Sequence, residues 1–353
     1  MDDLLTAGPS AEERDAVEAE SVAARGAPRA ALLRRRLLRS SAFWIGLIDL
    51  LLMLVFWWLS PHHLFLSKQS ILALLTDGAA IVLMTGGVAC LMATGEFDIS
   101  LGANLILSSV VGAKVMTSGL GLGTGIALGV VTSIAVGGGV GLVNGLIVTK
   151  LRVNSLITTL ATLGIATGLA ELLTGGSDIS SIPLSLQNRY GSATLWGVIP
   201  YPAVVTAILL AVAWFIMNKT RIGLRAIAIG SSRLAASRAG LEISRILIVM
   251  FVIAGLGAGV SGVTDLARFA TTNIAGHQLD ALAAITGVVI GGTRFGGGAI
   301  SIGGAIFGAF MSVILDSGLV VLGLPPYYQL IVVGGILLAA VAINIRRTGE
   351  EVR

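Results

Sequence analysis

The chain has 353 residues, of which 55% are hydrophobic and only 12% charged, with a net charge of +4 and a mean hydropathy of +0.93. Soluble globular chains carry about 25% charged residues, so this chain cannot cover a water-facing surface and reads as an all-α, polytopic membrane protein. Its one cysteine, Cys90, and its three histidines exclude an internal disulfide framework and a Cys-based zinc site, and no metal site is expected.

The first 40 residues hold most of the soluble character. Met1–Arg39 contains 7 acids and 7 arginines, and the remaining 314 residues hold 28 charges. This segment has no sustained apolar face and is expected to be a disordered cytoplasmic tail with a basic juxtamembrane end, RAALLRRRLLR at 29–39. A secretory signal would start its apolar core close to Met1 and end at a small-residue cleavage site. Here the apolar run starts near Phe43 and leads into WWLSPHH, so it reads as an uncleaved first membrane helix.

A spanning helix needs about 20 mostly apolar residues. Ten such runs are expected, at 43–60, 71–93, 99–117, 121–149, 155–174, 195–217, 245–267, 279–293, 298–319 and 327–345. They form a transmembrane domain over 41–347, with a polar loop at 218–245 and a short cytoplasmic tail at 348–353. An even number of spans places both termini on one side. With the N-terminus in the cytoplasm, 19 of the 23 Lys and Arg residues fall inside and 4 outside, as the positive-inside rule requires.

Glycines recur at spacing four: Gly121, Gly125 and Gly129; Gly137, Gly141 and Gly145; Gly255 and Gly259; Gly304 and Gly308. This spacing puts them on one helix face, where backbones approach closely and van der Waals packing replaces the missing hydrophobic drive. Gly257-x-Gly259-x-x-Gly262 formally matches a dinucleotide fingerprint, but it lies inside an apolar span with no strand before it, so helix packing is the better reading. GGGVGLVNGLIV at 137–148 resembles GGAIFGAFMSVI at 303–314, five spans later, which suggests an inverted repeat.

Three segments carry the functional signal. The first is TGEFDISLG at 94–102, with Glu96 and Asp98 between apolar stretches and Gly95 and Gly102 free to break the helix. Acids at membrane depth face a cavity or a partner, and broken helices build transporter sites. The competing reading is a short turn in which Asp98 caps the next helix around Ser100. The second is NKTRIGLRAIAIGSSRLAASRAGLEISR at 218–245, with Ser231 or Ser232 as a helix cap, a short helix near 233–239 and Gly240 as its stop. A small exposed helix suits docking into a partner's cleft. The third runs from Leu279 to Ala309, with Asp280 as a first-turn acid and a Gly-rich turn at 291–298 that includes Gly291 and Gly292. No G-x-x-x-x-G-K-[ST] occurs, so the chain has no P-loop of its own.

In this order the segments resemble the permease subunits of bacterial ATP-binding-cassette importers of the ribose, xylose, galactose and autoinducer-2 type. Gly95–Gly102 is similar to that family's G-G-I-D-L-S-V-G, with Glu96 in place of Gly and Phe97 in place of Ile. Thr220–Leu241 is similar to T-R-x-G-R-x-x-x-A-I-G-G-N-x-x-A-A-x-x-x-G-I, with Ser231 and Ser232 in place of Gly-Asn and Leu234 in place of an acid. Leu279–Thr293 is similar to L-D-A-I-A-A-x-x-I-G-G-T with two extra residues. Asn154-Ser155 stands where many members carry Pro.

The resemblance implies a permease in the bacterial inner membrane that performs no bond chemistry. It would work with a second permease copy, a cytoplasmic ATPase subunit that carries ATP and Mg²⁺, and a periplasmic or lipid-anchored binding protein that delivers a sugar or similar small polar solute. This chain would bind no cofactor and no nucleic acid. Arg221, Arg225, Gly230, Ala235, Ala236 and Gly240 would belong to the ATPase coupling region, and Glu96, Asp98, Ser100, Asn104 and Asn144 to the path or gate. A secondary transporter or channel is the competitor from another class, and a branched-chain amino-acid permease is the competitor within the superfamily.

Overall fold

The computed structural model describes residues 41–277 and 280–325, and beyond them residues 328, 331, 332, 334, 335 and 338. The expected N-terminal tail, C-terminal tail and most of the run at 327–345 lie outside the described residues.

Eleven helices are labelled here. They are α1 (Ser41–Leu59), α2 (Lys68–Met92), α3 (Leu101–Met116), α4 (Leu122–Lys150), α5 (Ser155–Thr174), α6 (Tyr201–Lys219), α7 (Arg221–Ser231), α8 (Arg233–Arg238), α9 (Ile243–Phe269), α10 (Asp280–Ile290) and α11 (Ile302–Val321). Seven of them are long and apolar enough to cross a membrane: α1, α2, α4, α5, α6, α9 and α11. The expected spans at 99–117 and 279–293 become the shorter apolar helices α3 and α10. At 1.5 Å per residue, the 11 residues of α10 reach only ~17 Å, about half of a ~30 Å hydrocarbon core. The missing length went into the unwound segments before α3 and after α10.

Local sequence sets the helix ends. Ser67 Oγ accepts from Ser70 N at the start of α2, Asn154 Oδ1 from Leu156 N at α5, Ser232 Oγ from Ala235 N at α8 and Ser301 Oγ from Gly304 N at α11. The sixth span starts later than expected, at Tyr201. Thr194–Leu195 and Ile199–Pro200 form a small antiparallel hairpin whose turn holds Trp196 and Gly197 at positive φ, and Pro200 and Pro202 then start the helix. The polar segment at 218–245 contains a helix, α7, beyond the short one expected.

Small residues crowd the helix contacts around a core that includes Phe251, Met250 and Leu105, and many other large side chains face outward. Trp58, Leu172 and Ile157 are exposed, whereas Gly, Ser, Thr and Ala dominate the contacts between helices. The most extensive contact joins α4 to α9. A Cβ on Gly137 would stand 2.5 Å from Gly255 O and 2.6 Å from Gly259 Cα, so the backbones meet directly. Gly125 and Gly129 pack on the end of α3, and Gly304 and Gly308 pack on Gly291 and Gly287 of α10. The glycine faces read from the sequence are therefore helix interfaces, except at Gly121, which precedes α4 and has open space beside it.

Successive helices alternate in direction. One end of the bundle gathers the α2–α3 break, the α4–α5 junction, α7, α8, the start of α9 and the 291–298 turn. The opposite end gathers the start of α2 and the ends of α9 and α11.

Candidate functional site

The helix break that the sequence pointed to is present. α2 ends at Met92, Gly95 adopts φ +81, and residues 96–98 have no regular structure before α3 starts at Leu101. Three contacts pin this segment. Gly298 N donates to Ala93 O at 3.0 Å, Phe97 stacks on Phe295 with centroids 4.5 Å apart, and Gly230 of α7 packs so closely on Ala93 and Gly298 that a methyl group there would collide with both. The break, the Gly-rich turn and the α7–α8 pair thus meet in one place.

A cavity of about 1030 Å³ opens beside this junction. The break lines it with Thr94, Gly95, Glu96 and Phe97, and the α4–α5 junction with Thr149, Arg152, Asn154 and Ser155. Ser231, Ser232 and Arg233, the start of α9, Leu282 and Ile285 of α10, and Phe295 complete the wall. Glu96 is 8% exposed and forms an ion pair with Arg233, the first residue of α8. Hydroxyl, amide and charged groups beside two aromatic rings suit a solute with many hydrogen-bonding groups.

Asp98, Ser100, Asn104 and Asn144 do not line this cavity. They lie behind its wall, almost fully buried. Thr162 Oγ1 donates to Asn144 Oδ1 at 2.6 Å. Asn144 Nδ2 donates to Ser100 Oγ at 3.0 Å and to Asp98 Oδ2 at 3.2 Å, and both N–H and O–H of Ser100 donate to Asp98 Oδ1. Every hydrogen in this chain points toward Asp98, as a carboxylate acceptor requires. Asp98 therefore makes the local turn before α3, consistent with the capping reading, and also ties α3 to α4 and α5. Asn104 makes a separate link, donating to Gly137 O at 3.0 Å and accepting from Ser108 Oγ at 3.3 Å.

The residues expected to form the coupling region sit together at the same end. Arg221, Arg225, Ala235 and Gly240 are exposed, Ala236 is buried under α8, and Gly240 stops the helix at φ +75. Gly291 and Gly292 end α10, where Gly291 packs on Gly304 and Ala305 and Gly292 on Ser41 of α1.

A second cavity of about 520 Å³ lies at the opposite end, with Asp77, Asp265, Arg268, Asn273, His277, Asp280 and Asp316 on its wall. Arg268 Nε donates to Asp77 Oδ1 at 2.7 Å. His277 Nδ1 lies 2.7 Å from Asp280 Oδ2, and Nε2 lies 3.1 Å from Asp265 Oδ1 in an ion pair that is not an aligned hydrogen bond. Burial pulls the imidazole's pKa down from 6.5, but the Asp265 and Asp280 carboxylates outweigh it and hold the group up to about 10. Gly102, at the start of α3, abuts the His277 carbonyl and Ala281 N. This contact separates the cavities, since Asp280 faces one and Leu282 the other.

Sequence reasoning missed Arg233, Arg152 and Phe295 as cavity residues and missed the His277 cluster. The i, i+3 spacing of His277 and Asp280 was the available signal. It also left Asp49 unplaced. Asp49 is buried on α1, and its two carboxylate oxygens have no hydrogen-bond partner among the described residues.

Comparison with known proteins agrees with this architecture. Residues 70–341 match the family described as branched-chain amino acid transport system / permease component. The D-allose transport system permease protein of Escherichia coli (strain K12) is 30% identical over 291 residues, covering 82% of this chain and 87% of the relative. The ribose import permease protein of the same strain is 31% identical over 288 residues, covering 80% and 84%. The L-arabinose ABC transporter permease protein of Azospirillum brasilense is 32% identical over 289 residues, covering 81% and 83%. No solved structure matches. The chain belongs to this permease family: it is a multi-pass inner-membrane transport component, not an enzyme.

Proposed function

We propose that this permease moves a monosaccharide or similar small polar solute through the 1030 Å³ cavity, driven by a separate ATPase subunit and supplied by an extracytoplasmic binding protein. The observation that carries the reading is the cavity wall. It offers Glu96, Asn154, Arg152, Arg233 and several hydroxyls as acceptors and donors, with Phe97 and Phe295 as flat apolar faces. Sugar hydroxyls both donate and accept, and such a wall answers both. Relatives named for D-allose, ribose and L-arabinose support the same solute class.

The α7–α8 end faces the cytoplasm in this reading. Nine basic residues lie at that end (Lys150, Arg152, Lys219, Arg221, Arg225, Arg233, Arg238, Arg245 and Arg294), against Lys68, Lys114, Arg189 and Arg268 at the other. α8, exposed except for Ala236, is the element that meets the ATPase, which carries the ATP and Mg²⁺. A second copy of the chain completes the path.

The test is uptake into proteoliposomes by the tagged chain co-purified with its partners. Radiolabelled D-ribose, D-allose, L-arabinose and D-galactose are compared with leucine as the amino-acid control. ATP-dependent uptake of a sugar but not leucine supports the reading. ATP-dependent uptake of leucine alone would transfer the chain to the amino-acid branch. Uptake driven by an ion gradient without ATP would make it a secondary transporter.

A further inference from the structure

We propose that Arg233 is a positioning residue of the transport cycle: through its ion pair with Glu96 it carries the movement of α8 to the irregular segment at 94–97 that walls the cavity. This rests on the reading of α8 as the ATPase contact.

The geometry of the pair supports a role beyond local stability. Basic side chains are favoured at the C-terminal end of a helix and opposed at its N-terminal end. Arg233 occupies the first position of α8, so its own helix gives it nothing, and its charge is answered across the cavity by Glu96. Glu96 is 8% exposed, and a buried carboxylate is costly without a partner. Arg233 is half exposed, with its guanidinium reaching inward from a helix whose other residues, except Ala236, face solvent. Ser232 Oγ fixes the helix start, so Arg233 cannot turn independently of α8.

The segment that Arg233 grips leads into the bundle. Two residues beyond Glu96, Asp98 is locked to Asn144 of α4 and, through Asn144, to Thr162 of α5. One residue beyond it, Phe97 stacks on Phe295. A shift of α8 therefore meets the Glu96 ion pair, then two residues of backbone, then the Asp98–Asn144–Thr162 hydrogen bonds behind the cavity. Coupling along this line is read as non-additivity between the two partners.

The experiment uses the full chain in its co-purified complex, reconstituted in proteoliposomes. ATP hydrolysis and uptake of labelled D-ribose, D-allose, L-arabinose and D-galactose are read together. Glu96→Gln and Arg233→Gln are each expected to lower uptake per ATP by about tenfold while hydrolysis continues. The double variant should be no worse than the poorer single one, and the exchanged pair Glu96→Arg with Arg233→Glu should recover most of the loss. Unchanged uptake per ATP in both single variants would overturn the proposal. So would a parallel loss of hydrolysis, uptake and thermal stability that the exchanged pair does not rescue, since that marks a structural role only.

A second measurement does not depend on the solute. Cys90 is the chain's only cysteine and is buried, so Glu96→Cys with Arg233→Cys can be bridged in the native background by a short bifunctional maleimide. If the pair carries α8 and residue 96 together, bridging should leave ATP turnover in the complex within about twofold of the unbridged double variant. Turnover arrested by the bridge, but not by blocking each cysteine singly, would show α8 moving relative to residue 96 and overturn the proposal. A wild-type complex that takes up no sugar would count against the transport reading instead, and the bridge experiment would still decide this one.

Discussion

Replacing Gly137 by alanine adds one methyl group at the most extensive helix contact of the bundle. That methyl carbon would stand 2.5 Å from Gly255 O, 2.6 Å from Gly259 Cα and 2.7 Å from Gly259 N. All three are backbone atoms, so no side chain can swing aside. Relief to ordinary contact near 3.4 Å requires α4 and α9 to separate by about 0.9 Å locally. A radial gap of that size forfeits roughly a quarter to a half of each van der Waals contact it opens, and overpacking of this kind costs about 1–3 kcal/mol. Alanine also favours helix over glycine by about 1 kcal/mol, which would mask part of the effect. Gly139 supplies the control. It lies on the same helix two residues away, and a Cβ there meets nothing within 4 Å. Gly139→Ala gains the same propensity without the collision, so the difference between the variants isolates the packing term, about 1–3 kcal/mol. Unfolding of both by denaturing detergent in mild micelles measures it. Midpoints for Gly137→Ala and Gly139→Ala that agree within about 0.5 kcal/mol would refute the argument that backbone contact holds α4 to α9.

Three further outcomes are expected. Asn144→Leu takes the buried donor from Asp98 Oδ2 and Ser100 Oγ, while Thr162 keeps the Thr158 carbonyl, and should cost about 2–5 kcal/mol, read as lost yield of folded protein in detergent, whereas Asn104→Ser should cost less. The pKa of His277 is raised from 6.5 to about 10, so its ion pairs contribute fully below pH 6.5 and are lost as pH rises through about 10. The melting temperature of the wild type should therefore fall between pH 7 and 10.5 by about 5 °C more than that of His277→Gln, and parallel curves would refute the assignment. Asp49→Leu removes a buried acid without a hydrogen-bond partner among the described residues and should raise thermal stability by about 1–3 kcal/mol, with a loss counting against the reading.

The sequence carried the parts of this fold that depend on local chemistry. Runs of apolar residues marked the helices, and Ser232 and Gly240 marked the start and stop of α8, because a cap needs only neighbours. Gly137, Gly141 and Gly145 marked an interface because spacing of four is itself a surface. What one sequence could not reveal was pairing across distance. Glu96 and Arg233 are 137 residues apart, and nothing near either names the other. Asp98 drew notice as an acid at membrane depth, yet whether it faced a cavity or Asn144 depended on the packing of α3 against α4. α7 was legible in principle, since Gly223, Ala226 and Ile229 recur every third residue, but the basic residues in and around it disguised it as a loop. α3 and α10 read as full spans because hydropathy is blind to where a glycine lets the chain unwind.

The seam between α4 and α9 also restricts how this permease can change shape. Carbonyls and Cα atoms in direct contact have no rotamers to exchange, so sliding one helix past the other would drive backbone through backbone. The pair must travel as a rigid body. Glycine, the residue that frees the chain at Gly95 and Gly240, here serves as the weld.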